Sequence, residues 1–253
     1  MLFGGVDLFK FLSKAANAVA NLKIGFVSAI VLCAGNSTRF GKENKQMAMV
    51  NGKEVAARTL AAFEDCDIIK ETVLVVGKDD IELYKQLVLQ NGFKKVKNIV
   101  TGGETRQISA SRGFRHISER AKYVAIHDGA RCLVTPSIIE KVVREASVYG
   151  VASAACRITD TVKAVDENGF VKKTLDRSGL MAVQTPQVFE RKLYASCSYS
   201  AKKKEIEATD DCALAEAFGF KVKLVDTGRD NIKITVADDI SLAEHILRRR
   251  GDN

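Results

Sequence analysis

The chain has 253 residues, of which 46% are hydrophobic and 28% charged, and these fractions are ordinary for a globular protein with a sizeable core. They exclude an intrinsically disordered chain, and the lack of any uncharged apolar stretch of about 18 residues excludes a transmembrane helix. The formal net charge of +8 is compatible with a solvated basic surface and with an anionic partner, either a substrate or a nucleic acid. Because aromatic residues make up only 7% and are not interleaved with basic ones, a small phosphorylated molecule is favoured over a nucleic acid.

Residues 1–27 form an N-terminal extension that differs from the rest of the chain. Leu8 and Leu12 belong to a set of apolar residues at helical spacing, which predicts a short amphipathic helix. Lys10 and Lys14 interrupt the apolar run that a secretory signal requires, so secretion is disfavoured. A translation start placed too early would also account for this segment.

Strand-like and helix-like segments alternate from Ser28 onward, which predicts an α/β fold with a mostly parallel sheet and helices on both faces. In such a sheet ligands bind beyond the carboxyl ends of the strands, where the polar motifs of this chain lie. The predicted strands are 28–34, 72–76, 97–100, 123–126, 151–156, 222–225 and 232–235. The predicted helices are 53–63, 81–90, 105–117, 136–147, 188–198, 211–218 and 237–249.

One segment breaks this alternation. Residues 157–176 alternate apolar and polar side chains around Asn168-Gly169, which is the pattern of a β-hairpin with a tight turn. We therefore expect a single domain over residues 28–250, with a β-hairpin arm at about 157–178 that projects from it.

Six cysteines are distributed singly along the chain, with no CxxC pair. Together with three scattered histidines they give little support for a zinc or redox site. Most lie in apolar runs, where a thiol packs as a small hydrophobe, and a reducing cytoplasm fits this usage best.

The clearest local signal is LCAGNSTRFGKENKQ at residues 32–46, where an apolar strand enters a loop that carries Arg39, Lys42 and Lys45. Backbone N–H groups of such a loop can hold phosphate oxygens, and the cations neutralise them. Phe40 stands where a Walker A loop needs its second glycine, and the glycines of a dinucleotide fingerprint are also missing. On these residues alone, a turn with surface cations is an equally good interpretation.

The segment AGNSTRFG followed by KQ resembles the AGxGxRM…PKQ signature of the sugar-nucleotide-type nucleotidyltransferases. Seven further motifs follow in order: TGGETRQIS at 101–109, HDGAR at 127–131, TDTVK at 159–163, LDRSGL at 175–180, QTPQ at 184–187, TDD at 209–211 and DNIKIT at 230–235. On this ordered set, the chain resembles the 2-C-methyl-D-erythritol 4-phosphate cytidylyltransferases over residues 28–248.

The resemblance implies a Rossmann-like nucleotidyltransferase fold whose β-arm embraces a second subunit, and hence a homodimer. It implies transfer of the cytidylyl group of CTP to 2-C-methyl-D-erythritol 4-phosphate, with release of pyrophosphate, in the non-mevalonate route to isoprenoids. Mg²⁺ or another divalent cation is the implied cofactor. Positioning and cationic stabilisation dominate such transfers, so no nucleophilic side chain is needed.

Residues that match the family motifs take the following implied roles. Arg39 and Lys45 stabilise the transition state, and the backbone at Ala34, Gly35, Asn36 and Ser37 holds the CTP phosphates. Gly103, Glu104 and Ser109 read the cytosine. Asp128, Arg131, Thr161, Arg177, Thr185 and Lys233 bind the acceptor, and Arg177 and Lys233 also count as catalytic.

The residues themselves leave some of these roles open. Asp128 is implied to bind either a metal ion or an acceptor hydroxyl, and without the family it would be a turn residue. Thr161 and Arg177 would pass for exposed hairpin residues. His127 is interpreted as a structural neighbour, because a phosphate monoester with its second pKa at about 6 needs no general base.

Several positions depart from the family pattern. Asn44 replaces the proline before the loop Lys-Gln, and HDGARC replaces HDAARP, so that Gly129 is expected to add backbone freedom and Cys132 removes a second proline. Met181 stands where an aromatic residue is common. These changes leave the rate and the order of the loops in doubt, while every charged catalytic residue is retained.

Three other functions compete with this one. A ribitol-5-phosphate cytidylyltransferase shares the fold, the nucleotide chemistry and most motifs. A non-catalytic nucleotide-binding regulator would have lost one of the cations Arg39, Lys45, Arg177 and Lys233, all of which are present. A nucleic-acid-binding module would concentrate its basic residues on one face, whereas here many fall inside phosphate-handling motifs.

Overall fold

The computed structural model of the chain describes residues 24–35, residue 40 and residues 44–252. The helix predicted within residues 1–27 therefore lies almost entirely outside the described residues. No helix of the described part is both long and apolar enough to cross a membrane.

Seven strands of the described chain form one sheet in the order β11-β7-β10-β6-β1-β4-β5. Strands β1, β4, β5 and β6 run parallel to their neighbours in this group, and β11 runs parallel to β7. Only β10 is antiparallel, to both β6 and β7. The seven strands are β1 (Val27–Leu32), β4 (Ile69–Val76), β5 (Val96–Thr101), β6 (Tyr123–Asp128), β7 (Val151–Arg157), β10 (Met181–Glu190) and β11 (Lys223–Asp226). The predicted mostly parallel sheet is confirmed.

The helices lie on both faces of this sheet, as the alternation in β1 shows. Ala29 and Val31 pack into one buried cluster with helices α1, α2 and α4, while Ile30 and Leu32 pack into another with α3, α5 and α6. Strand residues point alternately to the two faces, so a strand buried on both sides is apolar throughout. The helices are α1 (Val55–Glu64), α2 (Ile81–Asn91), α3 (Arg106–Phe114), α4 (Pro136–Tyr149), α5 (Arg191–Lys204), α6 (Asp211–Glu216) and α7 (Asp238–Arg250).

A third buried cluster joins α7 to the segment after β6. Ala243, Ile246 and Leu247 of α7 pack with Ala130 and Leu133. The short ribbon of β2 (Met49–Val50) and β3 (Lys53–Glu54) contributes to the same cluster. The C-terminal helix thereby fixes the loop that follows the last residue of β6.

Three helices begin with side-chain caps that the sequence makes recognisable. The Thr105 hydroxyl accepts the N–H of Ile108 at 3.1 Å to start α3, and Thr135, followed by Pro136, starts α4 in the same way. Asp210 caps α6 by accepting the N–H of Ala213 at 2.7 Å. Such caps satisfy N–H groups that have no partner within the helix. They fix the residues at which α3, α4 and α6 begin.

The β-hairpin arm is present as β8 (Lys163–Val165) and β9 (Val171–Thr174), paired with each other and apart from the main sheet. Asp166 Oδ1 accepts the N–H groups of Asn168 at 3.0 Å and Phe170 at 2.8 Å, and Gly169 supplies the positive φ of the turn. The arm is largely exposed along its length. The predicted Asn-Gly hairpin is confirmed.

Two predicted elements were wrong. Residues 188–190 belong to β10, so the helix predicted at 188–198 begins only at Arg191. Residues 232–235 form no strand, although the Ile234 N–H donates to the Ala130 carbonyl at 2.8 Å. Strand β10 itself was not predicted, because it contains Pro186, and a proline normally argues against a central strand.

Candidate active site

A cavity of about 300 Å³ lies at the carboxyl ends of β1, β5 and β6. Leu32 and Asp128, the last residues of β1 and β6, both line it, and Gly103 follows the end of β5. Chain order reverses between β1 and β6, because β1 continues to β4 on its other side. This is the switch point at which open α/β sheets bind ligands.

The cavity brings together eight of the residues that sequence analysis assigned to binding or catalysis. These are Ala34, Gly35, Lys45, Gly103, Glu104, Ser109, Asp128 and Lys233. They come from four separate motifs, so their convergence depends on the fold and not on local sequence.

The other predicted site residues lie elsewhere. Arg131 and Thr185 contact Asp128 from behind the cavity wall. Thr161 and Arg177 lie in the exposed arm region, where the Arg177 guanidinium donates to the Thr159 carbonyl. Asn36, Ser37 and Arg39 lie outside the described residues.

The wall that follows β5 is built on two glycines that touch their neighbours closely. A Cβ atom at Gly102 would lie well under 3.0 Å from the Cβ of Ala34, and one at Gly103 would collide with Ile108. Ser109 Oγ accepts the N–H of Gly103 at 3.0 Å. The two glycines therefore let the turn after β5 pack directly against Ala34 and against the first turn of α3, with no room for a side chain.

Asp128 is the electrostatic centre of the cavity. Its Oδ1 accepts Arg106 Nε at 3.0 Å and its Oδ2 accepts Lys233 Nζ at 2.8 Å, while Arg131 Nε lies 3.8 Å from Oδ2. Burial alone would raise the pKa of this carboxyl, but the charges of Arg106 and Lys233 outweigh burial and hold its pKa well below the usual range. Asp128 is therefore ionised throughout the physiological pH range.

Arg106, the first residue of α3, joins Asp128 to a second carboxylate. Its Nη1 lies 2.6 Å from Asp211 Oδ2, and the Tyr194 hydroxyl donates to Asp211 Oδ1 at 3.1 Å. Burial opposes the charged guanidinium, yet Asp211 and Asp128 together raise the pKa of Arg106 above its ordinary value. Neither Arg106 nor Asp211 has a role that its motif implies. Both fall inside matched motifs, which was the only signal available.

His127 is neutral and structural, as expected. Its Nε2 lies 3.3 Å from the Arg131 carbonyl, which can only accept, so Nε2 carries the proton. Nδ1 then accepts from the Thr185 hydroxyl at 3.0 Å, and Thr185 Oγ1 accepts the Asp128 N–H at 3.0 Å. Burial lowers the pKa of His127 to about 3.

This network also includes Thr185, for which the family motif implies a contact with the acceptor. Its side chain is buried and its hydroxyl is engaged on both sides, by His127 and by the backbone of Asp128. Thr185 therefore holds the end of β6 in place and does not reach the cavity. Asn231 binds the same segment, because its Nδ2 donates to the Thr185 carbonyl at 2.8 Å.

The described residues do not fit a metal ion held by the protein. No three of their carboxylates, thiols and imidazoles are grouped so as to ligate one ion. Both oxygens of Asp128, the residue assigned to Mg²⁺, are occupied by cationic donors. A Mg²⁺ ion would have to displace Arg106 or Lys233 to bind there. The geometry agrees better with an ion that arrives already bound to nucleotide phosphates.

All six cysteines are free thiols, and five of them are buried. Burial raises the pKa of Cys33 to about 12 and that of Cys66 to about 11, so both are protonated at neutral pH. They pack as small hydrophobes, in agreement with the interpretation of the sequence.

Comparison with known proteins places these motifs in one family. The model of the 2-C-methyl-D-erythritol 4-phosphate cytidylyltransferase family (IspD) matches residues 27–249. A curated 2-C-methyl-D-erythritol 4-phosphate cytidylyltransferase of Caldanaerobacter subterraneus is 40% identical over 225 residues, which cover 88% of this chain and 99% of the relative. The enzyme of the same name from Desulforamulus reducens is 40% identical over 229 residues, covering 90% of this chain and 98% of the relative.

Solved structures agree with the sequence comparison. The crystal structure of a 4-diphosphocytidyl-2C-methyl-D-erythritol synthase from Anaerococcus prevotii superposes with a TM-score of 0.80 at 30% identity, covering 91% of this chain and 99% of that one. A 2-C-methyl-D-erythritol 4-phosphate cytidylyltransferase from Thermus thermophilus superposes with a TM-score of 0.72 at 29% identity, covering 87% and 98%.

Proposed function

Since the chain belongs to the 2-C-methyl-D-erythritol 4-phosphate cytidylyltransferase family, we infer that it transfers the cytidylyl group of CTP to the phosphate of 2-C-methyl-D-erythritol 4-phosphate. The products are 4-diphosphocytidyl-2-C-methyl-D-erythritol and pyrophosphate. The observation that ties this reaction to the structure is the convergence of Lys45, Arg106, Asp128 and Lys233 on one cavity at the switch point of the sheet. The family also favours methylerythritol phosphate over ribitol phosphate as the acceptor.

We propose that CTP lies along the edge formed by Ala34, Gly35 and Gly103. These three residues line the cavity, and the N–H groups of Ala34 and Gly35 can face phosphate oxygens, whereas the N–H of Gly103 is already donated to Ser109 Oγ. Glu104 and Ser109 would contact the cytosine. Charge builds on the α-phosphate and on the leaving pyrophosphate as the bond breaks. Lys45 and Arg39 would stabilise that charge in the transition state.

The acceptor would bind opposite, against Lys233. This ammonium lines the cavity and its side chain is 38% exposed, so it can turn toward a phosphate that enters from solvent. Its charge would fix the acceptor phosphate in line with the α-phosphorus of CTP. The phosphate is already ionised near neutral pH, with its second pKa at about 6, so no protein base is needed. Neutral His127 then has no proton to move.

We propose that the arm completes the site of a second copy of the chain. Thr161 and Arg177 do not line the cavity of their own subunit, and both side chains are exposed at the surface, where a second copy of the chain can meet them. The arm also carries exposed apolar residues, among them Phe170, which is 71% exposed, and a partner would cover them. Arg177 suits this task because its planar guanidinium meets phosphate oxygens in a bidentate fashion.

We further propose that Mg²⁺ enters as the complex with CTP, since Asp128 already holds cations on both oxygens. In that complex the ion neutralises the triphosphate and orients its oxygens. The protein's own part is to bind the phosphates and exclude competing water. A cytoplasmic location agrees with the six free thiols.

The decisive test is pyrophosphate release by the purified protein with CTP and Mg²⁺. Rapid release is expected with 2-C-methyl-D-erythritol 4-phosphate, and only slow release with ribitol 5-phosphate at the same concentration. Faster release with ribitol 5-phosphate would make the protein the alternative cytidylyltransferase. CTP binding without release for either acceptor would make it a regulator.

A further inference from the structure

We propose that Arg106 is a positioning residue for the acceptor side of the reaction: it holds Asp128 so that Lys233 is released to bind the acceptor phosphate. The proposal rests on the role of Lys233 proposed above. It concerns a residue that the motif comparison left without any assignment.

Arg106 is the only described side chain that bridges the two buried carboxylates beside the cavity. Its Nε meets Asp128 Oδ1 at 3.0 Å and its Nη1 meets Asp211 Oδ2 at 2.6 Å. The Asp128 and Asp211 side chains are 11% and 2% exposed, so water cannot replace these contacts. A guanidinium suits the position because its donors are fixed in one plane and can serve two acceptors at once.

On this proposal the Lys233 ammonium pairs with Asp128 before the acceptor binds and with the acceptor phosphate afterwards. In the structure its Nζ lies 2.8 Å from Asp128 Oδ2, while the same side chain lines the cavity. When an acceptor phosphate enters, the ammonium must turn from the carboxylate to the phosphate. A buried carboxylate that loses its partner is costly, so Asp128 would hold Lys233 back unless another cation stayed with it.

Arg106 is the cation that can remain paired with Asp128 when Lys233 turns away. It remains at hydrogen-bond distance from Asp128 whether or not Lys233 moves, because it binds the other carboxylate oxygen. Arg131 is less suited, since its Nε lies 3.8 Å from Asp128 and its Nη1 is committed to the Asn231 carbonyl at 2.8 Å. Arg106 thus lowers the cost of freeing Lys233.

Asp211 in turn keeps the Arg106 guanidinium in place. It accepts from the Tyr194 hydroxyl at 3.1 Å, and its own N–H donates to Gln187 Oε1 at 3.0 Å. Gln187 also donates to the capping residue Asp210 at 2.6 Å. The start of α6 is therefore tied to the sheet, and through Asp211 it sets the direction in which Arg106 points.

The first experiment compares steady-state kinetics of R106M, R106K and wild type. R106M should raise the KM for 2-C-methyl-D-erythritol 4-phosphate by about tenfold to a hundredfold, as expected when a reacting group is misplaced. The KM for CTP should change by less than about twofold, since the Arg106 side chain pairs with Asp128 and Asp211 and not with the residues proposed to hold CTP. R106K should recover only part of the loss. The lysine keeps the positive charge, but its single ammonium cannot pair with both carboxylates. R144M, which removes an arginine paired with Glu140 on helix α4, is the matched control and should behave as wild type.

The second experiment asks whether Arg106 acts through Asp128. D128N carries no charge to hold Lys233 back, so adding R106M to D128N should change the acceptor KM little beyond D128N alone. Additive losses, or an equal rise in both KM values for R106M, would overturn the proposal. If R106M does not fold, D211N gives the same comparison: it should raise the acceptor KM in the wild-type background and not in the D128N background. A wild-type protein that releases no pyrophosphate would instead refute the proposed function itself.

Discussion

Replacing Gly129 with alanine should destabilise the protein, because the sulfur of Cys33 already fills the space that the methyl group would need. A Cβ atom at position 129 would lie well under 3.0 Å from Cys33 Sγ and 3.0 Å from the carbonyl oxygen of Leu32. That oxygen is fixed, since it accepts the Gly129 N–H at 2.8 Å. The φ angle of Gly129 lies outside the left-handed region. The alanine of the family pattern HDAARP therefore does not fit beside Cys33, so space and not a left-handed φ accounts for the glycine.

The cost of the change can be worked from these contacts. Overpacking a buried site costs about 1–3 kcal/mol. An alanine restricts the unfolded chain and returns about 0.4–1 kcal/mol, so G129A should lower the free energy of unfolding by about 1–2 kcal/mol. C33A alone should cost about 1 kcal/mol of lost burial. In the C33A background the new methyl group enters the space that the sulfur leaves, so there G129A should be neutral or stabilising.

The assay is urea-induced unfolding of wild type, G129A, C33A and the double variant, followed by circular dichroism. The double-mutant cycle should give a coupling of about 1–2 kcal/mol in favour of the double variant, within the range found for residues in contact. If G129A were equally costly in both backgrounds, Cys33 would not be the cause, and the clash with the Leu32 carbonyl would have to account for the whole effect.

Three further outcomes are expected. His127 is buried, and burial lowers its pKa from 6.5 to about 3. Between these two values the unfolded chain is protonated at His127 and the folded chain is not. The free energy of unfolding should therefore fall as the pH drops below 6.5. The loss should reach about 2 kcal/mol at pH 5, and H127Q should show a flatter pH dependence in this window. K45A should lower kcat far more than it weakens CTP binding, as measured by steady-state kinetics and calorimetry, because the role proposed for Lys45 is to stabilise charge that develops in the transition state. R177A should raise the KM for the acceptor and leave that for CTP nearly unchanged. If the arm acts in a partner's cavity, mixing equal amounts of K45A and R177A subunits should restore up to about a quarter of wild-type activity, measured at an acceptor concentration low enough that R177A alone is nearly inactive. Subunits with self-contained sites would show no more activity than the two variants measured separately.

The central strands could be predicted from the sequence because burial on both faces makes them apolar throughout. In β1 every residue is buried. An apolar run as short as Val27–Leu32 that leads into a glycine-containing loop indicates a buried strand. Strand β10 fails this rule. Its buried middle contains Gln184, Thr185 and Gln187, whose side chains bind Asn231, His127 and the start of α6. A polar strand whose partners lie far along the chain carries no local signal.

The site could be predicted only as far as its residues lie in motifs. Lys45, Gly103 and Lys233 were expected together, and the cavity unites them. The ion pair between Arg106 and Asp211 joins positions 105 residues apart. No helical or strand periodicity in the sequence links these two positions. They meet only because α3 and α6 lie on the same face of the sheet.

The carboxylates beside the cavity explain how a phosphate-binding site can be stable without phosphate. Three cations, Arg106, Arg131 and Lys233, crowd this region and would repel one another in a low dielectric. Asp128 and Asp211 offset most of that charge while leaving an excess of one positive charge. On the function proposed above, substrate phosphates would take over as partners of Lys233, whose side chain is 38% exposed, without any change in the partly buried pair of Arg106 and Asp211. The cations are therefore already oriented before substrate arrives, which is what electrostatic stabilisation of the transition state requires.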